Sequence, residues 1–361
     1  MKNISAVKNT PFQSGYQMPA EWEQHSATQL HWPSNRDTWP GERLQRVEDV
    51  YLNIIEALHR FEPIILLIDP AVKSDYVKFR LESRNIEPAE VHIYQVPLND
   101  VWARDCGPIF IKEKERKLFA ITDWEYNAWG EKYPPFDSDN RIPAWFADTF
   151  KIKNYSTGMV LEGGSIDTNG KGDFLTTESV LLNKNRNPDL NKNDIEKRLR
   201  DYLGAENIIW LKNGLAGDDT DGHIDDLSRF LNENTILTMI SDDPDDVNFE
   251  VLKENLEILE HAKNKNGESF TIEKLPLPQT KIKETTVDGS EYVPASYANF
   301  YIANGVVLVP LYDKKYDEIA LNLFKKYFTK REVNGINCAD LVWGQGSIHC
   351  ITQQIYGVDL K

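Results

Sequence analysis

At 361 residues, the chain carries 57 acidic and 41 basic side chains and has a formal net charge of −16. Such a charge argues against nucleic acid and anionic membrane surfaces as partners, because both would repel it. An apolar content of 40% is enough for a substantial core, and no apolar stretch approaches the length of a membrane span.

The three cysteines, Cys106, Cys338 and Cys350, form no CxxC pair and no zinc-type spacing with histidine. An odd, low count is typical of a reducing compartment rather than of a disulfide framework. The N-terminal residues contain no apolar run of the length that a signal peptide needs. We therefore expect a soluble, cytoplasmic protein.

The first part of the chain predicts an alternation of strands and helices. After an irregular arm over residues 1–17, the alternating run 28–33 predicts a strand. Pro40-Gly41 precedes an amphipathic helix whose apolar face is formed by Leu44, Val47, Tyr51, Ile54, Ile55 and Leu58. The apolar run 64–68 predicts a central strand that is buried on both faces. A short helix over 71–84 and a strand over 91–94 follow.

The same alternation continues along the rest of the chain and favours the α/β fold class. The charged run 112–117 predicts a solvated turn, and Pro134-Pro135 lies in a long aromatic-rich loop. Further strands are predicted over 118–124, 159–161, 208–211, 270–275, 306–309 and 341–343. Further helices are predicted over 248–262, over 317–328 and through Ile195, Leu199 and Leu203.

Five polar stretches interrupt this alternation, centred near residues 105, 162, 223, 298 and 350. Successive centres are 57, 61, 75 and 52 residues apart, although no repeated sequence is visible. No Gly-, Ser- or Pro-rich linker divides the chain. We therefore predict one domain, 1–361, of about five α/β units that each bring a polar turn to a shared centre.

Cys350 follows the stretch Gly344-Gln345-Gly346-Ser347-Ile348-His349. Glycines allow a sharp turn and leave little side-chain bulk above a thiol, which suits a cysteine that must meet a substrate. A buried cysteine at a tight turn explains the same pattern, since free cysteines are among the most buried residues. The stretch alone leaves both interpretations open.

The third polar stretch, residues 217–226, is rich in carboxylates around His223. A calcium loop would need a Gly at its sixth position and a late Glu, and a zinc site would need ligands from elsewhere. If extended, the segment would place His223 and Asp225 on one face, where a carboxylate could anchor a cation while the imidazole moves protons. An acidic turn with a hydrogen-bonded histidine and a metal site remain alternatives.

The first two polar stretches add carboxylates. Asp105 follows Arg104, which is predicted to pair with a carboxylate. Glu162 could orient His223, as carboxylates generally orient imidazoles. A thiol, an imidazole and several carboxylates together suit covalent catalysis on a cationic substrate.

Taken together, these stretches resemble the agmatine deiminases, members of the guanidino-group-modifying (pentein) superfamily that also includes bacterial peptidylarginine deiminases. The matching segments are residues 18–25 (MPAEWEQH), 99–108 (NDVWARDCGP), 161–165 (LEGGS), 220–225 (TDGHID) and 348–354 (IHCITQQ). Each is weak alone, but together they are specific and span most of the chain. The resemblance implies a five-bladed α/β propeller with its active site on the central axis.

The resemblance implies hydrolysis of agmatine to N-carbamoylputrescine and ammonia, in putrescine biosynthesis, without metal or cofactor. Cys350 would be the nucleophile and His223 the general acid/base, supported by Glu162. Asp105 and Asp225 would clamp the planar guanidinium and keep its carbon electrophilic. His223 would protonate departing ammonia to leave an S-alkylthiouronium intermediate, and would then activate the water that releases the ureido product.

The substrate contacts that the resemblance implies are Trp102, Asp219 and Gly346. Where the family commonly has Asp-Glu-Thr-Asn-Gly-His, residues 218–223 read Asp-Asp-Thr-Asp-Gly-His, so the residue expected near the distal amine is one methylene shorter at Asp219. Residues 344–347 read Gly-Gln-Gly-Ser where the family has Gly-Gly-Gly-Asn. These departures concern the recognition of the substrate tail.

Other functions compatible with the sequence are deimination of another guanidino compound or peptidyl-arginine, guanidinium binding without catalysis, and metal-dependent hydrolysis centred on residues 218–226. The complete set of Cys350, His223, Asp105 and Asp225 argues against binding without catalysis. The expected partner is a small guanidino molecule, agmatine, rather than nucleic acid or membrane. A homodimer is an assembly consistent with the resemblance.

Overall fold

The computed structural model describes residues 10–86, 88–116, 118–278, 286 and 288–360. Its strands are β1 (Tyr16–Gln17), β2 (Ala27–His31), β3 (Ile64–Ile68), β4 (Val91–Gln95), β5 (Ile109–Glu113), β6 (Phe119–Glu125), β7 (Lys153–Val160), β8 (Asp167–Thr168), β9 (Asp173–Thr177), β10 (Asn207–Leu211), β11 (Ser228–Asn232), β12 (Thr235–Ile240), β13 (Thr271–Pro276), β14 (Tyr301–Ile302), β15 (Val306–Leu311), β16 (Glu332–Asn337) and β17 (Gln353–Ile355).

The α-helical segments are α1 (Arg43–Leu58), α2 (Ser74–Glu82), α3 (Ala103–Cys106), α4 (Ala128–Glu131), α5 (Ile142–Phe150), α6 (Glu178–Leu181), α7 (Lys192–Leu203), α8 (Phe249–His261), α9 (Asp317–Tyr327) and α10 (Ile348–Ile351). Short 3-10 helices lie at Phe12–Ser14, Pro88–Glu90, Asp139–Arg141, Gly163–Ser165, Ile224–Asp226 and Val342–Gly344. No helix in the described ranges is long and apolar enough to cross a membrane.

The strands form five sheets with one repeated connectivity. Each sheet contains an antiparallel pair followed by a parallel pair, in the orders β17-β2-β3, β5-β6-β7, β8-β9-β10, β11-β12-β13 and β14-β15-β16. Within each sheet, a helix joins the two parallel strands. In the order of the sheets just given, these helices are α1, α5, α7, α8 and α9. This repetition confirms the α/β class and the prediction of five units.

Each predicted polar stretch lies directly before the first strand of one unit. Asp105 is in α3 before β5, Glu162 comes before β8, His223 before β11, Asn299 before β14 and Cys350 in α10 before β17. Equivalent positions in repeated units place these turns near one another. Because β17 pairs with β2, the C-terminal turn is also drawn to the sheet that contains the first predicted strand.

Amphipathicity and burial explain the unit that contains α1 and β3. All six apolar positions predicted for the face of α1 are buried in one cluster with Ile64, Leu66 and Ile68 of β3. The alternate residues Ile65 and Leu67 belong to another cluster. The strand is therefore buried on both faces, as its uniformly apolar sequence predicts.

The predicted strand over 341–343 is wrong. Leu341 has helical φ and ψ of −67° and −50°, and Val342–Gly344 is a 3-10 helix. The apolar run reflects burial rather than extension, because Leu341 and Val342 are both buried. The Leu341 carbonyl accepts a hydrogen bond from the Trp39 indole at 3.3 Å. The parallel strand of this unit is β16, whose sequence Glu-Val-Asn-Gly-Ile-Asn gives little strand signal.

The N-terminal arm and the charged turn also differ from prediction. Residues 1–9 lie outside the described residues, but Tyr16 and Gln17 are not irregular, because they form β1 against Glu113 and Lys112 of β5. Hence only 114–116 of the predicted turn 112–117 form a turn, and residue 117 lies outside the described residues.

Candidate active site

A cavity of about 720 Å³ leads to the predicted nucleophile. Cys350 and Asp105 line it, with Trp102, Trp129, Tyr133, Phe136, Asp219, Thr220 and Gln345 among the other lining residues. His223, Asp225 and Glu162 are buried beneath this lining. The structure therefore gathers the five predicted catalytic residues at the inner end of one cavity.

Cys350 is held by Asn299, which lies in the fourth polar stretch. The Asn299 Nδ2 donates to the Cys350 Sγ at 3.1 Å, while its Oδ1 accepts from the backbone N–H of His349 at 2.8 Å. One amide thus fixes both the thiol and the start of α10. The sequence placed a polar centre near residue 298, but nothing in it distinguished Asn299 from its neighbours.

Asp105, His223 and Asp225 converge around Gly164. The His223 Nδ1 lies 3.7 Å from Asp105 Oδ1 and 3.9 Å from Asp225 Oδ1. A Cβ at Gly164 would lie only 2.7 Å from His223 Nδ1 and 2.8 Å from Asp105 Oδ1. Glycine is therefore required here by close approach.

The route by which His223 and Asp225 meet differs from the prediction. The segment after His223 is not extended, because Ile224–Asp226 forms a 3-10 helix. The two side chains nevertheless come within 3.9 Å. Proximity therefore arises from a tight turn rather than from the alternation of a strand.

Several buried polar atoms in this group have no hydrogen-bond partner among the described residues. They are His223 Nδ1 and Nε2, Asp225 Oδ1 and Glu162 Oε2. Buried polar groups are nearly always paired, and an unpaired one costs about 1–3 kcal/mol. A ligand that carries several N–H donors would supply partners for the unpaired carboxylate oxygens.

The surrounding charges set the protonation of the imidazole and the thiol. Burial lowers the pKa of His223, but the charges of Asp105 and Asp225 outweigh it and raise that pKa above the usual value. Burial raises the pKa of Cys350 well above its usual range, and the charges of Asp225 and Asp226 raise it further. The surroundings in the free protein therefore favour the protonated imidazole of His223 and the neutral thiol of Cys350. A bound cation would favour the thiolate.

Glu162 forms no hydrogen bond with His223 among the described contacts, but its charge helps to raise the pKa of His223. Its Oε1 accepts from Arg186 Nε at 2.5 Å. Arg186 also donates to Asp221 Oδ2 at 2.6 Å and to the carbonyl of Thr220 at 2.8 Å. This buried arginine links Glu162 to the loop that carries His223, and no sequence signal singled it out.

Two of the predicted substrate contacts, Trp102 and Gly346, act together. Trp102 lines the cavity and packs against Trp39, with ring centroids 5.8 Å apart. Gly346 is not among the cavity-lining residues; a Cβ there would lie 2.1 Å from the Trp102 ring. Gly346 therefore shapes the cavity by allowing Trp102 to approach.

Trp129 of the aromatic-rich loop fixes the first carboxylate. Its indole Nε1 donates to Asp105 Oδ2 at 3.1 Å. It lies in α4, where Ala128, Trp129, Gly130 and Glu131 all have positive φ. Such a left-handed turn costs roughly 1–2 kcal/mol for each non-glycine residue, so its contacts must stabilise it.

Asp219 lies on the cavity wall, as expected for the tail contact. Its Oδ2 accepts from the Tyr133 hydroxyl at 2.6 Å. Burial raises the pKa of Asp219 to about 7, although the Tyr133 hydrogen bond opposes the shift. A carboxylate and a phenol therefore lie together at this position, and no sequence signal indicated the phenol.

One group of potential metal ligands occurs among the described residues. Ligand atoms of Asp225, Asp226 and Cys350 lie within 4.8 Å of one another. Asp225 Oδ2 is already bonded to His349, and Asp226 Oδ1 accepts from Asn299. These contacts leave few free oxygens for an ion.

Comparisons with known proteins cover nearly the whole chain. The profile of one family, Porphyromonas-type peptidyl-arginine deiminase, matches residues 17–355. A relative from Legionella pneumophila strain Philadelphia 1, named as a candidate agmatine deiminase, is 37% identical over 349 residues and covers 96% of this chain and 97% of its own.

Solved structures are also similar. The agmatine deiminase of Enterococcus faecalis is 31% identical, with a TM-score of 0.87 and coverage of 97% of this chain and 98% of its own. An amidinotransferase from Microseira wollei shares the fold at a TM-score of 0.51 with 13% identity, covering 94% of this chain and 97% of its own.

Gly164→Ala should close the inner end of the cavity to guanidinium-like molecules. The added methyl group would crowd His223, Asp105 and Asp225, the last at 3.0 Å. We expect alkylation of Cys350 by cationic 2-chloroacetamidine to slow at least about tenfold, a loss of roughly 1.4 kcal/mol, while neutral iodoacetamide reacts at a similar rate. Rates are measured by intact-protein mass spectrometry.

Gly335→Ala is the control, because its Cβ would crowd only the flexible Leu311 side chain, at 2.6 Å. Its labelling rates should match those of the wild type. Unchanged chloroacetamidine labelling in Gly164→Ala would contradict the placement of the cation beside Gly164.

Proposed function

Since the chain belongs to the Porphyromonas-type peptidyl-arginine deiminase family and has the pentein fold, we propose that it hydrolyses agmatine to N-carbamoylputrescine and ammonia. The observation that carries this proposal is the set of unpaired buried atoms of His223, Asp225 and Glu162 beside the Cys350 thiol. A guanidinium has N–H donors in a fixed plane that such carboxylate oxygens can accept.

Asp105 and Asp225 form the clamp. Asp105 is fixed from both sides, by Trp129 at one oxygen and by the Gly164 N–H at the other, 3.1 Å away. Asp225 keeps Oδ1 unpaired. Two carboxylates aimed at one planar cation orient it and keep it charged, so its carbon remains open to attack.

Binding of the cation activates the nucleophile. The same carboxylates that raise the pKa of Cys350 are neutralised when the guanidinium lies between them. The thiol proton is then released to solvent through the cavity that Cys350 lines, as the charge of the substrate replaces it. Activation by the substrate itself restricts the thiolate to the occupied site.

The protonated His223 can then serve as the general acid. The thiolate adds to the guanidinium carbon, and the imidazolium gives its proton to the departing ammonia, which leaves an S-alkylthiouronium on Cys350. Neutral His223 next removes a proton from water, and the resulting hydroxide adds to the same carbon. Expulsion of the thiolate and loss of a proton release the ureido product.

The tail of the substrate favours agmatine. Asp219, with Tyr133 bonded to it, presents negative charge at the cavity wall, and Thr220 lies beside it. An ammonium is favoured there, and a carboxylate such as that of arginine is repelled. The missing methylene of Asp219 can be bridged by a water, which need not weaken binding.

We further propose that residues 1–361 act as one catalytic domain. A cytoplasmic location and a homodimer, both expected from the sequence, stay predictions.

Cys350→Ser should lose at least about 1000-fold in kcat, because an alcohol is a far poorer nucleophile without strong activation. In the wild type, 2-chloroacetamidine should modify Cys350 stoichiometrically and spare Cys106 and Cys338, which are buried away from the cavity. Peptide mapping identifies the modified residue. Full activity of the serine variant, or activity that a chelator abolishes, would refute the covalent mechanism.

Asp105→Asn and Asp225→Asn should each lower kcat/KM at least about 100-fold, since removing one partner of a buried charge pair costs roughly 3–5 kcal/mol. Steady-state assays of ammonia release, together with circular dichroism to confirm folding, provide the measurement. The control is Asp49→Asn, whose contacts are with the remote surface residues Arg80 and Arg84. Wild-type kcat/KM in either clamp variant would remove that residue from the clamp.

Asp219→Asn should raise KM for agmatine several-fold more than it lowers kcat, because a remote tail contact is made about equally in ground and transition states. In the wild type, KM should also rise as the pH falls below about 7, where Asp219 gains a proton and loses the charge that binds the amine. Steady-state kinetics on agmatine, with arginine as the carboxylate-bearing comparison, tests both effects. A wild-type preference for arginine, or an unchanged KM in Asp219→Asn, would contradict the tail assignment.

A further inference from the structure

The imidazole of His349, next to the nucleophile, lies between two buried carboxylates. Its Nδ1 is 2.6 Å from Asp225 Oδ2, and its Nε2 is 2.8 Å from Glu21 Oε2. His349, Asp225 and Glu21 are 2%, 0% and 6% exposed, so water does not screen these contacts. Glu21 belongs to the segment 18–25, which the reaction steps above leave without a role.

Both carboxylates are ionised. Burial raises the pKa of Glu21, but Arg229 and His349 outweigh it and hold that pKa well below its usual range. Burial also acts to raise the pKa of Asp225, but the hydrogen bond and the charge of His349 lower it. Each ring nitrogen of His349 lies within hydrogen-bond distance of a carboxylate oxygen, and only an imidazolium, with protons on both nitrogens, donates to both.

Glu21 is the fixed end of this chain of contacts. Its Oε1 accepts from the Ile302 N–H at 2.8 Å and lies 3.1 Å from Arg229 Nη2. Its Oε2 accepts from Arg104 Nη2 at 3.3 Å, which identifies the carboxylate that Arg104 was predicted to pair with. Because Glu21 is held on all sides, it can hold His349 in turn.

We propose that His349 and Glu21 are positioning residues that act through Asp225, an inference that rests on the proposed function. His349 occupies Asp225 Oδ2 and leaves Oδ1 as the oxygen for the guanidinium. The Cys350 thiol already donates a long hydrogen bond, 4.0 Å, to the same oxygen. Without the bond to His349, Asp225 is free to turn and shorten this contact, so His349 keeps the clamp from pairing more closely with the nucleophile.

The imidazolium also offsets negative charge near the thiol. The charges of Asp225, Asp226 and Asp105 act on Cys350, and Tyr312 also interacts with it. The ring of His349 contacts Asp225 and Glu21 and its charge acts on Asp167, while its carbonyl accepts from Arg104. Removing the His349 cation leaves the Asp225 charge uncompensated beside the thiol, so deprotonation of Cys350 becomes harder.

The experiment is His349→Gln, assayed in two ways. Deimination should fall on the order of 100-fold in kcat/KM, the effect of misplacing a reacting group by about 1 Å. Alkylation of Cys350 by neutral iodoacetamide, followed as a function of pH, should shift to higher pH. A purely structural role would lower activity without moving this pH profile.

The matched control is His31→Gln. His31 is also fully buried, but its ring contacts only the Gln29 amide and the Asp100 carbonyl, neither of which is charged. It should lose thermal stability without a shift of the alkylation profile. An unshifted profile in folded His349→Gln would overturn the inference.

If His349→Gln does not fold, the inference is tested on the wild type instead. In ¹⁵N-histidine NMR, the ring that is assigned to His349 among the seven histidines must carry protons on both nitrogens, and its Nδ1 proton must be strongly downfield because of the 2.6 Å bond to Asp225. Absence of such a ring overturns the inference. Alkylation by iodoacetamide requires no guanidinium site, so it can be measured whatever the substrate is. If the wild type has no deiminase activity but His349→Gln still shifts the alkylation profile, the proposed function is refuted and the positioning role of His349 stands.

Discussion

The structure depends on balancing the charge of several buried carboxylates around one thiol. Asp105, Asp225 and Glu162 would repel one another in a medium of low dielectric constant unless cations balance them. Burial raises the pKa of Asp226 well above its usual range and that of Asp105 to about 7. Arg186 balances Glu162, and the His349 imidazolium balances Asp225. Among the described residues, no Lys or Arg forms an ion pair with Asp105, which lies 3.7 Å from the His223 imidazole. The guanidinium of the substrate would supply the remaining charge, which links recognition to activation.

Five repeated units explain how residues from distant parts of the chain reach this centre. In each unit, the polar turn before the first strand points to the same region. This shared position brings together Asp105, Glu162, His223, Asn299 and Cys350. The same repetition accounts for the roughly even spacing of the polar stretches in the sequence. Each unit contributes one turn, and no single segment contains the site.

Much of this organisation could be predicted from the sequence. Apolar periodicity identified α1 and β3, and the polar stretches identified the catalytic candidates, which the structure brings together. Strands without an apolar signal, such as β16, could not be predicted. The apolar run at 341–343 predicts a strand but forms a helical turn, because burial does not require extension. A short apolar run is expected both for a buried turn and for a buried strand, so it does not distinguish them.

The supporting residues of the site were beyond prediction for another reason. Asn299, Arg186, Trp129 and Tyr133 act through partners between 24 and 86 positions away, so their roles exist only in the folded chain. Tyr133 is the clearest case, because its hydroxyl donates to Asp219, where the sequence shows only a side chain one methylene shorter than in the family. A local motif shows which groups could react, whereas the fold determines which groups hold them.

The most direct test of the account is mass spectrometry of enzyme quenched in acid during turnover of agmatine. We expect a fraction of the protein to carry an adduct on Cys350 with the mass of agmatine minus ammonia, and this fraction should disappear as the substrate is consumed. Formation of ureido product with no adduct on Cys350 at any time, together with loss of activity on chelation, would contradict the covalent mechanism.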